Sequence, residues 1–525
     1  MNRIFMSAGV MVFALGFGVA AFAQSGNIIS VTSPDGKTAI KGELLEIEGT
    51  IYKIKTSLGV FEVDATTVDC TGEGCIELEA FGESLAIVGS NAIGAELMPA
   101  LILGYADSLN AEISYEAGAN ENERALRLVH ETGKEMVKID LATHGSSASF
   151  TYLAGNLATI GMSSRKIAQD EAAMLLQAGI PDPRETEREH VLALDAVAII
   201  VHPDNPLTSI SMADLRAVFA GRITSWAALG GPDEPINLYA GDEDSRAFDI
   251  FKQKVLNSVG QSLPGLTKRF KSNSDLLDSV SVDRNAIGFT GLSYVRDAKV
   301  LSIRQECGIV SDASLFSVKA EEYPLAQRLY LYEHPGEIAE HARRLLDYAS
   351  SESAQPVISA AHLVNRTPGY RPLTDMGAQL VQSLTGEYEF SLGLFRELVA
   401  QLGEGRRLST TFRFTPGSVR LDLLSDRSAA ALARQLADGT FAGQEIVLVG
   451  FSDAIGEFAQ NLALSKSRAQ AVYETMINAV GAAALNDLTL LVQGYGELLP
   501  VACNTTSKGR EINRRVEIWV RPKRS

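Results

Sequence analysis

The chain has 525 residues, a formal net charge of −17, 46% hydrophobic and 21% charged residues. Those proportions suit packed domains and exclude wholesale disorder, and the length suggests about three to four domains. The acidic balance disfavours nucleic acid and anionic membrane as partners, and 7% aromatics argues against a base-stacking or sugar-binding platform.

Residues 1–23 read as a signal peptide. Arg3 is the one charge, an apolar run follows from about Gly9 to Phe22, and Ala21-Phe22-Ala23 supplies the small-x-small cleavage pattern, so cleavage is expected before Gln24. The alternative, an uncleaved anchor, is disfavoured because the run is short for a bilayer. No Cys sits just after the apolar core, so a lipid-anchored form is disfavoured, and no later stretch approaches about 20 apolar residues, so the expectation is an exported protein without a transmembrane span. With Arg3 removed the charge is −18. Residues 409–525 hold 13 Lys/Arg and 11 Asp/Glu, leaving +2 there and −20 over 24–408. The tail is a separate electrostatic unit.

Residues 24–83 read as a small all-β domain. Alternating strands flank a turn at Glu48-Gly49, and Val60-Phe61-Glu62-Val63-Asp64 follows as a third. Cys70 and Cys75 flank Thr71-Gly72-Glu73-Gly74, where two glycines let the chain turn back, and a short-loop disulfide is expected in an oxidising compartment. The pairing of Cys307 and Cys503 stays open. No Cys or His stands at zinc-finger spacing to Cys70 and Cys75, so no metal site is expected.

Residues 84–345 alternate strand and helix, as in Val191 to Val201 followed by Met212 to Phe219, which predicts an α/β domain with a mostly parallel sheet. Three small-residue turns stand out: Gly89-Ser90-Asn91, Gly145-Ser146-Ser147 and Ser163-Ser164-Arg165. Hydroxyls and bare N–H groups near strand ends suit an oxyanion, although each turn alone would more often be a plain loop. Together with Asp214-Leu215-Arg216-Ala217-Val218-Phe219-Ala220-Gly221-Arg222-Ile223-Thr224-Ser225-Trp226 and Ala286-Ile287-Gly288-Phe289-Thr290-Gly291, they resemble the PstS-like, type 2 periplasmic binding proteins. That resemblance implies a two-lobed fold, with the 286–294 stretch returning to the first lobe, and an anion site at Ser90, Asn91, Gly145, Ser146, Ser147, Ser163, Ser164, Arg165, Ser245 and Arg246. The sequence departs from the family at that site. Gly241 stands for the family's Arg before Asp242, Arg246-Ala247 replaces Gly-Thr, and Ala92 and Ala148 stand where hydroxyls are usual. Each lost donor to a charged ligand removes about 1.5–3 kcal/mol. Phosphate, a different anion, and a degenerate pocket that contacts envelope proteins are the three open readings.

Residues 346–408 read as a helical linker punctuated by Thr367-Pro368-Gly369, with an amphipathic helix from Phe390 to Leu402. Residues 409–525 read as an α+β domain. A buried strand from Glu445 to Phe451 delivers Ser452-Asp453, and the helix from Glu457 to Val480 carries Asn461, Leu464, Ser465, Arg468 and Val472 on one stripe. A carboxylate beside a guanidinium suits a zwitterion; the bland reading is a surface pair contributing about 0–1 kcal/mol. Gly450-Phe451-Ser452-Asp453, Asn461-Leu462-x-Leu464-Ser465-x-x-Arg468-Ala469, Gly494-Tyr495-Gly496-Glu497 and Asn513-Arg514-Arg515-Val516-Glu517 together resemble the OmpA-like peptidoglycan-binding domain. The resemblance implies a βαβ sandwich in which Asp453 and Arg468 hold the ammonium and carboxylate of diaminopimelate, with Ser452, Asn461, Leu464 and Arg515 beside them.

No catalytic motif is present, and His144 beside Ser146 and Ser147 reads as a loop residue rather than a base, so neither catalysis nor a cofactor is expected. The combined expectation is a periplasmic, peptidoglycan-associated binding protein, the outer membrane being an open alternative location; the alternative functions are a structural envelope protein whose receptor-like domain contacts other proteins, and a phosphate ABC-transporter substrate-binding component. Its expected partners are the wall, phosphate or a similar small anion, and envelope proteins.

Overall fold

In a computed structural model of the protein the described residues are 27–523, apart from 34–37, 49–50, 66–67, 73, 76–82, 185–187, 258–259, 337, 386–390, 415–416 and 486–487. The signal segment, its cleavage site and Gly49 of the first turn lie outside them. The chain divides into two units: residues up to Gly82 with Glu131–Glu135, and Glu83–His130 with Met136–Ser525.

The first unit is a five-stranded antiparallel sheet in the order Gly59–Asp64, Ile51–Thr56, Ala39–Glu48, Ile28–Thr32, Asp69–Thr71. Alternation puts Ile29, Val31, Tyr52 and Ile54 on the buried face. Cys70 and Cys75 are disulfide-bonded, with Cα atoms 5.7 Å apart.

The second unit opens with a long mixed sheet. Its path runs Lys268–Phe270, Asn237–Gly241, Ala286–Gly291, Glu189–Val201, Ala326–Glu333, Ile160–Ser163, Glu83–Gly89, Glu135–Ala142, Glu123–His130, Ala111–Ala117. Two cores flank the middle of that path. One gathers Leu85, Ile87, Leu101, Ile139, Ile160 and Leu329 under helices Leu97–Ser108 and Glu340–Ser350; the other gathers Val197, Ile199, Phe219, Phe251, Phe289 and Leu301. These are two lobes. The 13-residue strand Glu189–Val201 contributes Leu192 and Ala193 to the first core and Val197, Ile199 and Val201 to the second, so it crosses between them.

Two expectations change here. The sheet is not mostly parallel: the crossing strand pairs antiparallel with both Ala326–Glu333 and Ala286–Gly291, because the chain passes between lobes and back. The return to the first lobe is made by Ala326–Glu333, which pairs with Ile160–Ser163, whereas Ala286–Gly291 stays in the second lobe.

The remaining sheet has the order Tyr370–Pro372, Arg406–Arg413, Arg515–Pro522, Gln444–Gly450, Thr489–Gly494. Helices Leu423–Ala437 and Phe458–Val480 cover one face, burying Ala429, Leu432, Ala469, Val472 and Met476. The expected linker at 346–408 is instead divided between cores. Leu346, Ala349, Ala354 and Ile358 complete the first lobe, while Leu373, Met376, Leu398 and Leu402 pack on Val447, Phe451 and Trp519 of the last sheet. These eight apolar residues are buried, which a solvated linker would leave in water.

The last sheet and the second lobe share a charged seam. Arg407, with no side-chain exposure, bridges Glu322 at 2.5 Å and Glu517 at 3.2 Å, and Glu517 also holds Arg515 at 2.7 Å and accepts a hydrogen bond from the Trp519 indole at 2.9 Å. Arg371 forks onto Asp312 at 2.6 and 3.2 Å. Cys307 and Cys503, left undecided above, are disulfide-bonded across the same seam.

Candidate functional site

In the C-terminal region, strand Gln444–Gly450 ends at Ser452 and Asp453, and helix Phe458–Val480 folds back over it. The approach is close: a Cβ on Gly450 would strike the Ser465 carbonyl, so only glycine allows the helix this depth. That depth sets the position of Arg468, one turn further along the same face. Arg468 is 1% exposed, lies 5.4 Å over the Phe414 ring and donates from Nε to the Ser418 carbonyl at 3.1 Å. Its Nη1 and Nη2 are buried without a hydrogen-bond partner. Burial first, and then the charge of Arg514, push its pKa down to about 10, while the Asp453 charge acts in the opposite sense.

Asp453 lies just beyond the strand end, near enough for its charge to act on Arg468. Its Oδ1 accepts from the Ile455 N–H at 3.0 Å and its Oδ2 from Arg514 Nη1 at 2.8 Å. Ser452 is buried with its hydroxyl unpartnered. Asn461 is buried and donates to Glu497 at 2.9 Å and to the Ile455 carbonyl at 3.2 Å, tying the helix start to the Asp453 loop. Leu464 is half-buried on the helix flank. Arg515 is not brought to this group. It is fully buried, 4.2 Å from the Phe451 ring, and spends its donors on Glu517 and the Leu499 carbonyl. Its neighbour Arg514 takes the place beside Asp453. Sequence reading missed Arg514, Glu497 and Phe414. The Arg514-Arg515 pair was visible, but which of the two faces outward depends on the strand starting at Arg515.

In the first lobe the three small-residue turns converge. The Ser90 N–H donates to the Met162 carbonyl at 2.9 Å, and the Gly145 N–H to the Gly89 carbonyl at 2.9 Å. Gly89 has φ +146, and a Cβ there would overlap the Met162 carbonyl, so the turns can nest only around a glycine. Ser146 Oγ accepts from the Ser164 N–H at 3.0 Å and lies 3.1 Å from the Ser164 hydroxyl. Ser163 donates to the Arg165 carbonyl, and Asn91 opens the short helix Asn91–Gly94. Arg165 donates to Ser147 Oγ at 2.8 Å but forks onto Glu171 at 2.7 and 2.8 Å, so its charge is matched within the fold.

The second-lobe members stand elsewhere. Ser245 caps helix Arg246–Phe251, accepting from the Phe248 N–H. Arg246 donates to the Ala361 carbonyl at 3.1 Å and lies 3.8 Å from Glu96 and 3.9 Å from Asp195. Asp195 is 5% exposed with Oδ2 unpartnered, and burial pushes its pKa up to about 6 despite Arg246. Sequence reading missed these acids, because Glu96 and Asp195 lie far from Arg246 along the chain. Among the described residues no group of three or more His, Cys, Asp or Glu is placed to hold a metal ion, and no helix is long and apolar enough to cross a membrane.

Comparison with known proteins agrees with this division. Residues 117–353 match the PBP superfamily domain and residues 413–514 match the OmpA family. The chain is 24% identical over 230 residues to the phosphate-binding protein PstS of Borreliella burgdorferi, covering 42% of this chain and 77% of that protein. It is 30% identical over 192 residues to PstS of Bacillus subtilis, covering 36% of this chain and 58% of that one. Thus it spans about three-quarters of the first relative and under three-fifths of the second. Among solved structures, an ABC-type phosphate transport receptor from Vibrio cholerae matches with TM-score 0.41, 20% identity and coverage of 53% and 99% of the two chains. The peptidoglycan-associated lipoprotein of Burkholderia pseudomallei matches with TM-score 0.19, 23% identity and coverage of 21% and 89%.

Proposed function

We propose that this chain, a PBP superfamily domain followed by an OmpA family domain, is an exported binding protein that grips peptidoglycan through Asp453 and Arg468 and presents a phosphate-type receptor domain near the wall. The observation that carries the wall reading is the pair of buried, unpartnered nitrogens on Arg468. A guanidinium is rarely left so, since burying charge without a partner costs several kcal/mol, and the two vacant donors match one carboxylate bidentately. Asp453, held by Arg514 and the Ile455 N–H, supplies the acceptor for an ammonium. Together they suit the D-centre of diaminopimelate, a carboxylate and an ammonium on one carbon. Ser452 and Asn461 line the same ground, and Arg514 rather than Arg515 completes it.

Retention on purified peptidoglycan tests this reading. Asp453→Ala and Arg468→Ala are expected each to reduce retention at least tenfold, with Arg468→Lys intermediate because a point charge lacks the fork. Full retention by well-folded forms of both alanine variants would refute it.

For the receptor domain, the convergence of the turns carrying Ser90, Ser146, Ser163 and Ser164 supports a small oxyanion such as phosphate, although the Ser90 and Ser164 N–H groups are already spent on the Met162 carbonyl and Ser146 Oγ. A second reading, a receptor-like domain that contacts envelope proteins, is favoured by the carboxylates Glu96 and Asp195 beside Arg246 and by the Arg165–Glu171 fork. Calorimetric titration with phosphate separates them: saturable heat supports the first, and no heat at millimolar phosphate supports the second. Holding such a receptor at the wall raises its local concentration without new contacts.

A further inference from the structure

A cavity of about 1080 Å³ lies apart from both sites, where the first lobe faces helix Leu423–Ala437 of the C-terminal region. Its walls carry Arg188, Arg343, Arg366, Arg427, Arg434 and His190 against two carboxylates, Glu333 and Glu352. Both acids are engaged: Glu333 lies 3.2 Å from His190 Nε2, and Glu352 accepts from Gln435 at 3.3 Å.

Three of the arginines are oriented by backbone carbonyls, and the Glu333 carboxylate is shared by the charges of His190, Arg188 and Arg343. Arg366 donates to the Val191 carbonyl at 3.0 Å, Arg427 to the Glu189 carbonyl at 3.1 Å and Arg188 to the Pro335 carbonyl at 3.4 Å. Arg343 on helix Glu340–Ser350 and Arg434 on helix Leu423–Ala437 are exposed on opposite walls. None of the five is in an ion pair with a described carboxylate. Among the described lining residues, five guanidiniums against two carboxylates leave a local excess of three positive charges, in a protein whose residues 24–408 carry −20. Burial, and then the charges of Arg328 and Arg427, hold the Arg366 pKa below its usual value, so gathering them works against the fold. A concave wall of like charges costs free energy unless an anion offsets it.

We infer that this cavity binds a small polyanion with three or more negative charges, carried on phosphate or carboxylate groups, that bridges Arg343 and Arg434. Arginine forks pair with either group bidentately, and the volume sits at the upper end for a small-molecule site, too large for one orthophosphate.

The full chain is titrated by calorimetry with inorganic tripolyphosphate and, separately, with citrate. The expected result is saturable 1:1 binding to at least one of them. Arg343→Gln and Arg434→Gln should each weaken it about tenfold and the double variant about a hundredfold, with an unchanged melting temperature because both side chains are exposed. Which probe binds assigns phosphate or carboxylate as the recognised group. No saturable heat with either probe at millimolar concentration overturns the inference. Binding that survives intact in the double variant overturns it too, since the heat then arises at another site.

Discussion

At the scale of single residues, the two sites differ in how their charges are matched. Arg468 is buried with two idle donors, whereas Arg165 is already satisfied by Glu171. Asp195 presents the converse case, a carboxyl that burial holds protonated up to about pH 6. Its folded pKa lies above its unfolded value, so between about pH 4 and 6 the folded state binds more protons and stability falls as pH rises, by about 3 kcal/mol over that window. Replacing Asp195 by Asn should flatten the melting temperature between pH 4 and 7 and raise it at pH 7; a variant whose curve parallels the parent's contradicts this account. Asp453 and Arg468 were legible in the sequence because a strand end and one helix face fix their placement within a turn. Arg514 was not, because a one-residue shift in strand start exchanges it with Arg515.

At the scale of elements, what escaped the sequence is tertiary burial. The stretch 346–408 has the punctuation of a linker, yet Leu398 and Leu402 on helix Leu392–Leu402 are fully buried against the last sheet. Likewise the alternation of strands and helices revealed an α/β domain but not the antiparallel crossing strand, since pairing direction depends on where the chain returns. The seam between Arg406–Arg413 and the second lobe rests on Arg407. Burial works against its charge, but Glu322 and Glu517 outweigh it, and its pKa is raised. Arg407→Met should cost about 3–5 kcal/mol, because it strands the buried Glu322 carboxylate, while Glu517 keeps Arg515 and Trp519. The urea midpoint measures this, and a double change with Glu322→Gln should recover part of the loss. A cost below about 1 kcal/mol for the single change would show the seam to be dispensable.

At the scale of the molecule, the charged seam draws on both sections of the chain. Asp312 with Arg371 and Glu322 with Arg407 pair within residues 24–408, and the near-neutral tail adds Glu517, set against Arg407, and Arg413, which donates to the Ala320 carbonyl at 3.0 Å. The Cys307–Cys503 disulfide closes the same seam over a separation of 196 residues. Chain entropy assigns such a loop about 5 kcal/mol, so Cys307→Ser with Cys503→Ser should lower the unfolding midpoint markedly; an unchanged midpoint would mean that the seam holds without it. Beside Cys503, Asn504 accepts from the Ala454 N–H at 3.3 Å, so the disulfide also steadies the loop carrying Asp453.

The most direct measurement compares two wall stem peptides that differ at one residue, diaminopimelate in one and lysine in the other, by titration against the full chain. Lysine keeps an ammonium but lacks the second carboxylate, so Arg468 would bury its two donors unanswered. Binding of the diaminopimelate peptide at least tenfold tighter, with the preference abolished in Arg468→Ala, is the predicted result. Equal affinity for the two peptides in the parent chain would contradict it.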